Sequence, residues 1–548
     1  MRTVRRSLRV WNGIALGTAL VLGIGVVSGV LHKTKTYDPE SVVAEFVGAL
    51  NAHDVDAAAD VTSYPSAAKA SIKQMFDALG PEKVDFDVNQ VISLGPDSGM
   101  FNAAATWDLG KDRTWNYNVN GWVRKLSVGW RVSWNPQTLA PGIGNGRILQ
   151  LDRTDAAPPT VFDISGVPMM TEQRINAVKL DPATTPDPVG TTIRLAKVIE
   201  PVAPLITPES MQQDLAAAHG KQITAVSLRD GDFAVLENDL RAIPGVVIDT
   251  QPKLITVDRR VTSPVVDAMR NVWQANRDAT AGWAVNAVAP DGSRTPLTGY
   301  QGPPGPDIRS TLEPRLQLAA EDAVVSVGTP AAIVAIQPST GALLAVAQNN
   351  QASDQGPIAF TGLYPSGSAL DLVRTAAAAQ NTDVEHAAKE LGLALGYKIP
   401  GLDQQTATFP SGGPNLMRAA SDKKSDDVMV SPFGMALVAA AISRGAPTVP
   451  VIAAGQPATT TETAPPLPSA VVDQLRGVMR DTVQRGNANL LAGYGDLVGA
   501  TGAHDDDRWF YGSRGDLAFA VFVQNADGGD QAVKMTDRMF KALAKPPA

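Results

Sequence analysis

Four arginines, Arg2, Arg5, Arg6 and Arg9, precede an uncharged apolar stretch from Val10 to Leu31, close to the roughly 20 residues a helix needs to cross the hydrocarbon core of a bilayer. No other feature constrains the chain as much. Residues 10–31 read as a transmembrane anchor behind a cytoplasmic tail of residues 1–9, so everything that follows must fold on one side of a membrane. The arginines outnumber Lys33 and Lys35 on the far flank, and the positive-inside bias then sends the bulk of the chain out of the cytoplasm. A cleaved signal peptide would have a shorter apolar core, about 7–15 residues, and would lead to the same export.

What is exported must hold together by packing. The sequence contains no cysteine, which removes disulfides, thiolate nucleophiles and thiolate zinc sites together. Its 44% hydrophobic and 19% charged residues are those of packed domains rather than of disorder, and a chain of 548 residues divides into roughly two to four such domains. The net charge of -8, with no basic stripe beyond the first ten residues, argues against a nucleic-acid partner. His32, His53, His219, His386 and His504 lack metal-ligand spacing. Asp505, Asp506 and Asp507 beside His504 read as a solvated loop, so neither a metal nor a cofactor is expected.

Along the chain, Asp38 and Pro39 form a helix start. Val43, Phe46, Val47 and Leu50 recur at helical spacing, and the polar break Asn51 to Asp54 leads into a second short helix ending near Val61. From Val84 to Trp134 the pattern changes to alternating runs rich in Val and Trp, which predicts an antiparallel sheet packed on those helices. Trp107, Trp115, Trp122, Trp130 and Trp134 are expected in its core, the alternative being an aromatic-lined cone that holds a ligand. Pro-rich breaks divide the stretch from Arg153 to Gly302, an extended connecting domain. Beyond it, Leu312 to Val325 is predicted helical, Ala331 to Ile336 and Ala342 to Ala347 form a hairpin, and Pro457 to Pro468 is an exposed loop.

Particular runs resemble the class B penicillin-binding proteins. Ala331 to Ala345 is similar to the opening hairpin of their transpeptidase domain, Leu363-Tyr364-Pro365-Ser366-Gly367-Ser368 to the run that leads to the nucleophile, and Ser431 to Ala436 to a later helix start. Val498 to Gly512 resembles the strand lining the active-site cleft. Phe162 to Pro168 is similar to the opening of the pedestal, or dimerisation, domain, and Tyr37 to about Asn145 resembles the NTF2-like domain of the subgroup related to the low-affinity methicillin-resistance protein. The resemblance implies an α+β multidomain chain: a transmembrane helix, an NTF2-like α+β cone (37–145), a pedestal domain (150–302) and a transpeptidase-like, serine β-lactamase-like α/β domain (306–548).

The resemblance also implies a chemistry that this sequence has lost. Active members acylate a serine and need a lysine three residues on to take its proton, whereas here the run is Ser368-Ala369-Leu370-Asp371. An aspartate with an ordinary pKa near 4 is a poor base at that position. The second motif, Ser-x-Asn, has its nearest counterpart in Ala379-Gln380-Asn381, without the serine, where Asn381 reads either as a relic of the motif or as an ordinary helix-cap residue. The third, Lys-Thr-Gly, appears as Ala500-Thr501-Gly502, without the charge. The oxyanion-stabilising pair implied by the resemblance, the N–H groups of Ser368 and Ala503, needs no side chain and can persist. Ser-x-x-Asp at a helix start also suits a capping box, with Ser368 accepting from the amide of Asp371 and the carboxylate reaching back. The expected function is a scaffold or regulator holding peptidoglycan-synthesis or division proteins at the membrane. The alternatives are a slow enzyme still acylated at Ser368 and a non-reacting binder of stem peptides.

Overall fold

Asp38 opens the first helix as its spacing predicts: its carboxylate accepts the Ser41 N–H at 2.6 Å, and Pro39 takes the first helical position. In the computed structural model, which describes residues 38–144, 146–410 and 428–546, this helix is α1 (Pro39–Asn51). It is followed by α2 (Val55–Asp60), capped by Asp54, and α3 (Pro65–Leu79), which ends on Gly80 in the left-handed region. The span expected over residues 10–31 lies outside the described residues. Among those described, no helix is long and apolar enough to cross a membrane.

Four strands, β1 (Lys83–Gly95), β2 (Ser98–Asp108), β3 (Thr114–Leu126) and β4 (Gly129–Ser133), pair antiparallel in sequence order. Alternation sorts their faces. Trp115, Val119 and Val123 of β3 are buried with Trp107, Phe46 and Leu50, while Asn116, Asn118, Asn120 and Trp122 point outward. The Trp107 indole donates to the Tyr117 hydroxyl at 2.8 Å, and that hydroxyl donates to the Leu139 carbonyl at 2.6 Å, so the buried polar groups are satisfied. The tryptophans are not uniformly core: Trp122 is 51% exposed, because its odd-numbered neighbours occupy the inward positions.

The stretch over residues 150–302 contributes to both of two compact units. Among the described residues, those of 38–152 and 285–299 form one compact unit, and those of 153–284 and 300–546 the other. The cause is a three-stranded sheet in which Ile148–Thr154 pairs beside the hairpin Gly282–Val288 and Arg294–Tyr300. Asp152 accepts from Asn286 at 2.6 Å and from Arg294 at 2.8 Å.

In the second unit, β5 (Pro168–Leu180) pairs antiparallel with both β6 (Ile223–Arg229) and β7 (Val246–Thr256). The helices α4 (Pro188–Ile199), α5 (Pro208–Ala217) and α6 (Asp230–Arg241) cover this sheet through Leu195, Ile199, Met211, Leu236 and Leu240. Helix α7 (Pro264–Thr280) leads on towards α8 (Pro314–Val324) and the hairpin β8 (Ala331–Ile336) and β9 (Leu343–Gln348). A helix α9 (Asp371–Gln380) and a largely buried helix α10 (Pro432–Arg444) follow, then α11 (Ser469–Gln484). The chain ends with β10 (Val498–His504), β11 (Asp507–Arg514), β12 (Leu517–Val523) and α12 (Gln531–Ala544). The sheet runs β9-β8-β12-β11-β10, antiparallel throughout, with β10 at its edge.

Period-two alternation divides this sheet between two cores. Trp509, Tyr511 and Phe522 join α10 on one face, and Phe510, Phe519 and Val521 join α8 and α12 on the other. A helix that is apolar all round belongs inside a core, and α10 is buried from Pro432 to Ile442. The stretch from Pro457 to Pro468 is less of a free loop than its composition suggests, since Thr459–Thr460 pairs with Tyr397–Lys398 and Ala458 and Leu467 are buried.

Candidate functional site: a serine turn closed against an edge strand

Ser368 lies in a 3₁₀ turn, Gly367–Leu370, that runs directly into α9. The turn presses backbone to backbone against β10. A Cβ on Gly502 would stand 2.5 Å from Ala369 Cα, and one on Gly367, whose φ is +44°, would stand 2.2 Å from the Ala503 carbonyl oxygen. Both positions therefore require glycine: Gly367 for its left-handed backbone and Gly502 for the close approach. From the core side, the buried Tyr511 hydroxyl donates to the Ala369 carbonyl at 2.7 Å, and burial pushes the phenol pKa up.

This packing brings Ser368 to Ala503. The serine Oγ accepts the Ala503 N–H at 2.9 Å and lies 3.4 Å from the Ala503 carbonyl, to which it can donate. The amide implied as an oxyanion donor is thus engaged by the serine hydroxyl itself.

Asp371 does not serve Ser368. Its carboxylate is 64% exposed and pairs at 2.6 Å with Arg374, whose guanidinium also donates to the Gly367 carbonyl at 3.0 Å. The capping box expected of Ser368 and Asp371 is absent: neither the 3₁₀ turn nor α9 has a side-chain cap. A capping serine needs an extended backbone ahead of the helix, whereas Ser368 is already inside a helical turn and its hydroxyl is committed to Ala503.

Asn381 is placed apart from this cluster. It terminates α9 as a left-handed C-cap with φ +55°, about 15 Å along the helix axis from Asp371. On β10, Ala500 is 7% exposed and packed in the apolar core, so no cationic side chain stands at the third motif. Thr501 donates to the Asn487 side-chain carbonyl at 3.0 Å. Of the residues singled out from sequence, the fold gathers Ser368, Gly502 and Ala503, flanks them with Asp371, Ala500 and Thr501, and leaves Asn381 at the far end of a helix.

Three participants were missed. Arg374 was within reach of sequence reasoning, since Asp-x-x-Arg is a helical ion-pair spacing. Tyr511 gave no signal, because it reaches the turn from 142 residues away. His504, set aside with the acidic run, has its Cβ beside Gly367. The run itself makes a hairpin: Asp507 holds the Asn525 N–H at 3.0 Å, and burial pushes its carboxyl pKa up. Among the described residues no group of acids and histidines is arranged to hold a metal ion.

Chemically, the arrangement supplies backbone donors beside a hydroxyl and little to activate it. The guanidinium of Arg374 is a donor only, and the carboxylate three residues on from Ser368 is turned towards it. Residues 38–147 match the family of the NTF2-like N-terminal transpeptidase domain, which is found in class B penicillin-binding proteins. No curated protein matches the chain.

Proposed function

We propose, taking an N-terminal domain of the transpeptidase kind as premise, that the chain is a membrane-anchored, non-catalytic homologue of the class B penicillin-binding proteins. It would act outside the cytoplasm as a scaffold or regulator, holding protein partners of peptidoglycan synthesis or cell division. One observation carries this reading. Ser368 Oγ is held by the Ala503 backbone at 2.9 Å while the carboxylate three residues on is paired with Arg374, so the hydroxyl lacks the neighbour that would take its proton. Loss of a general base costs about 10²–10⁴ in rate, and loss of members of an activated-serine unit as much as about 10⁶. The buried Ala500 adds the loss of attraction for a substrate carboxylate.

Intact-mass spectrometry of the protein after exposure to benzylpenicillin, at a concentration that saturates an active transpeptidase, tests this directly. The mass should stay unchanged. A stoichiometric adduct mapped to Ser368 would overturn the reading and favour the second one, a slowly acylated enzyme, for which the surviving Ala503 N–H is the supporting feature. Capture of stem peptides without reaction is the binding form of the same idea, and a muropeptide titration separates it from a purely protein-holding role. Co-purification from membranes identifies the partners.

A further inference from the structure

The outward face of the first unit's sheet carries a run of asparagines at its centre, Asp85 and Asp87 beside them, and the exposed Ile92, Leu94 and Trp122 at one end. Rows run straight across the strands: Asp87 pairs with Ala104 and Ala104 with Asn118, Asn102 with Asn120, and Ile92 with Met100 and Met100 with Trp122. The row through Asn102 is organised by side-chain bonds. Asn89 donates to Asn102 at 2.7 Å, and Asn102 donates to Asn120 at 2.9 Å and to the Val119 carbonyl at 3.2 Å. These amides are therefore held in fixed orientation before any ligand arrives, which reduces the entropy lost on binding. Asn118 and the carboxylates of Asp85 and Asp87 are outward-facing, with no side-chain partner among the described residues. Ala104 sets only a methyl group between Asp87 and Asn118. Trp122 stands at the end of the row with half its surface exposed, opposite the small Ser133 on β4.

We infer that this face binds a chain of uncharged pyranose sugars. Each amide offers a donor and an acceptor, which is what hydroxyl and acetamido groups require, and an exposed indole gives a sugar ring an apolar platform with a polar edge. From Asn116 to Trp122 the strand runs about 20 Å, room for several rings in line. The unpaired Asp85 and Asp87 repel a polyanion. A second copy of this chain fits the face poorly, because a stable protein interface has an apolar, well-packed centre and the centre here is Ala104 among asparagines.

The inference rests on the sheet alone and is independent of whether Ser368 reacts, so the penicillin experiment and this one fail separately. Full-length protein in detergent is titrated calorimetrically with the hexamer of β-1,4-linked N-acetylglucosamine. Saturable binding is expected, weakened at least about tenfold by Trp122→Ala and by Asn102→Leu, and unchanged by Leu205→Ser, which alters a residue 91% exposed in the other unit. No saturable binding by the wild-type chain, or binding that Trp122→Ala leaves intact, would overturn the proposal. So would sedimentation showing self-association that Trp122→Ala abolishes and the sugar leaves untouched, which would assign the face to a second copy.

Discussion

At Ser368 the decisive contact is with a main chain rather than a side chain. The hydroxyl accepts from Ala503 and the neighbouring acid is held by Arg374, so a substitution at either position acts on stability before it acts on any chemistry. Ser368→Ala removes the acceptor of one amide at an exposed position, where water takes its place, and should cost about 0.5–1.5 kcal/mol. Asp371→Ala breaks an exposed ion pair and should cost less than about 1 kcal/mol. Asp371→Lys is expected to be worse than Asp371→Ala, because it sets an ammonium beside the Arg374 guanidinium and at the positive end of α9. Denaturant melts of the three variants give the order. Stabilisation by Asp371→Lys, or acylation by penicillin in that variant, would show that the turn still accommodates a lysine next to Ser368.

Between elements, the contacts that matter join residues far apart in sequence, and Glu321 on α8 is a clear case. Its carboxylate accepts from the Thr262 N–H and hydroxyl, both at 3.2 Å, on the loop that enters α7, and from Gln317 at 2.8 Å. Burial pushes its pKa above the ordinary glutamate value. A folded-state pKa raised in this way favours the protonated acid in the fold. Its contribution to stability is therefore greatest below the ordinary value of about 4.3 and falls as pH rises through the window up to the raised value, because the unfolded chain ionises first. Glu321→Gln keeps an acceptor for Gln317 and Thr262 while removing the titration. The variant should match or exceed the wild type at pH 7, and its advantage should fade towards pH 3. Denaturant midpoints across that range measure it, and a wild type that gains on the variant as pH rises would mean that the carboxylate charge stabilises this junction. The same distinction explains what was legible in the sequence. Helix α1 and the hairpin β8–β9 could be read because caps, turns and alternation are local. The capping role of Ser368 was misread because Ser-x-x-Asp specifies a spacing but not the backbone ahead of it, and the role of Gly502 depends on Ala369, which only the folded chain brings within reach.

For the whole molecule, the chain path sets what a single substitution can reach. The first unit closes only when residues 285–299 return to it after a long excursion through the second unit, and no periodicity could announce that pairing, since Asp152 and Asn286 are 134 residues apart. The stretch from 150 to 302 therefore contributes to both units. The returning hairpin is fastened at Asp152, whose side chain is 17% exposed and accepts from both Asn286 and Arg294. Asp152→Ala should leave an amide and a guanidinium without their shared acceptor and destabilise the first unit by about 1–3 kcal/mol. Units with separate cores open with separate free energies. Hydrogen exchange followed by mass spectrometry should therefore show faster exchange in β1 to β4 and in residues 285–299, with β8 and β12 unchanged. Equal loss of protection in β8 and β12 would mean that the two units unfold as one, and that the hairpin couples them rather than closing the first unit alone.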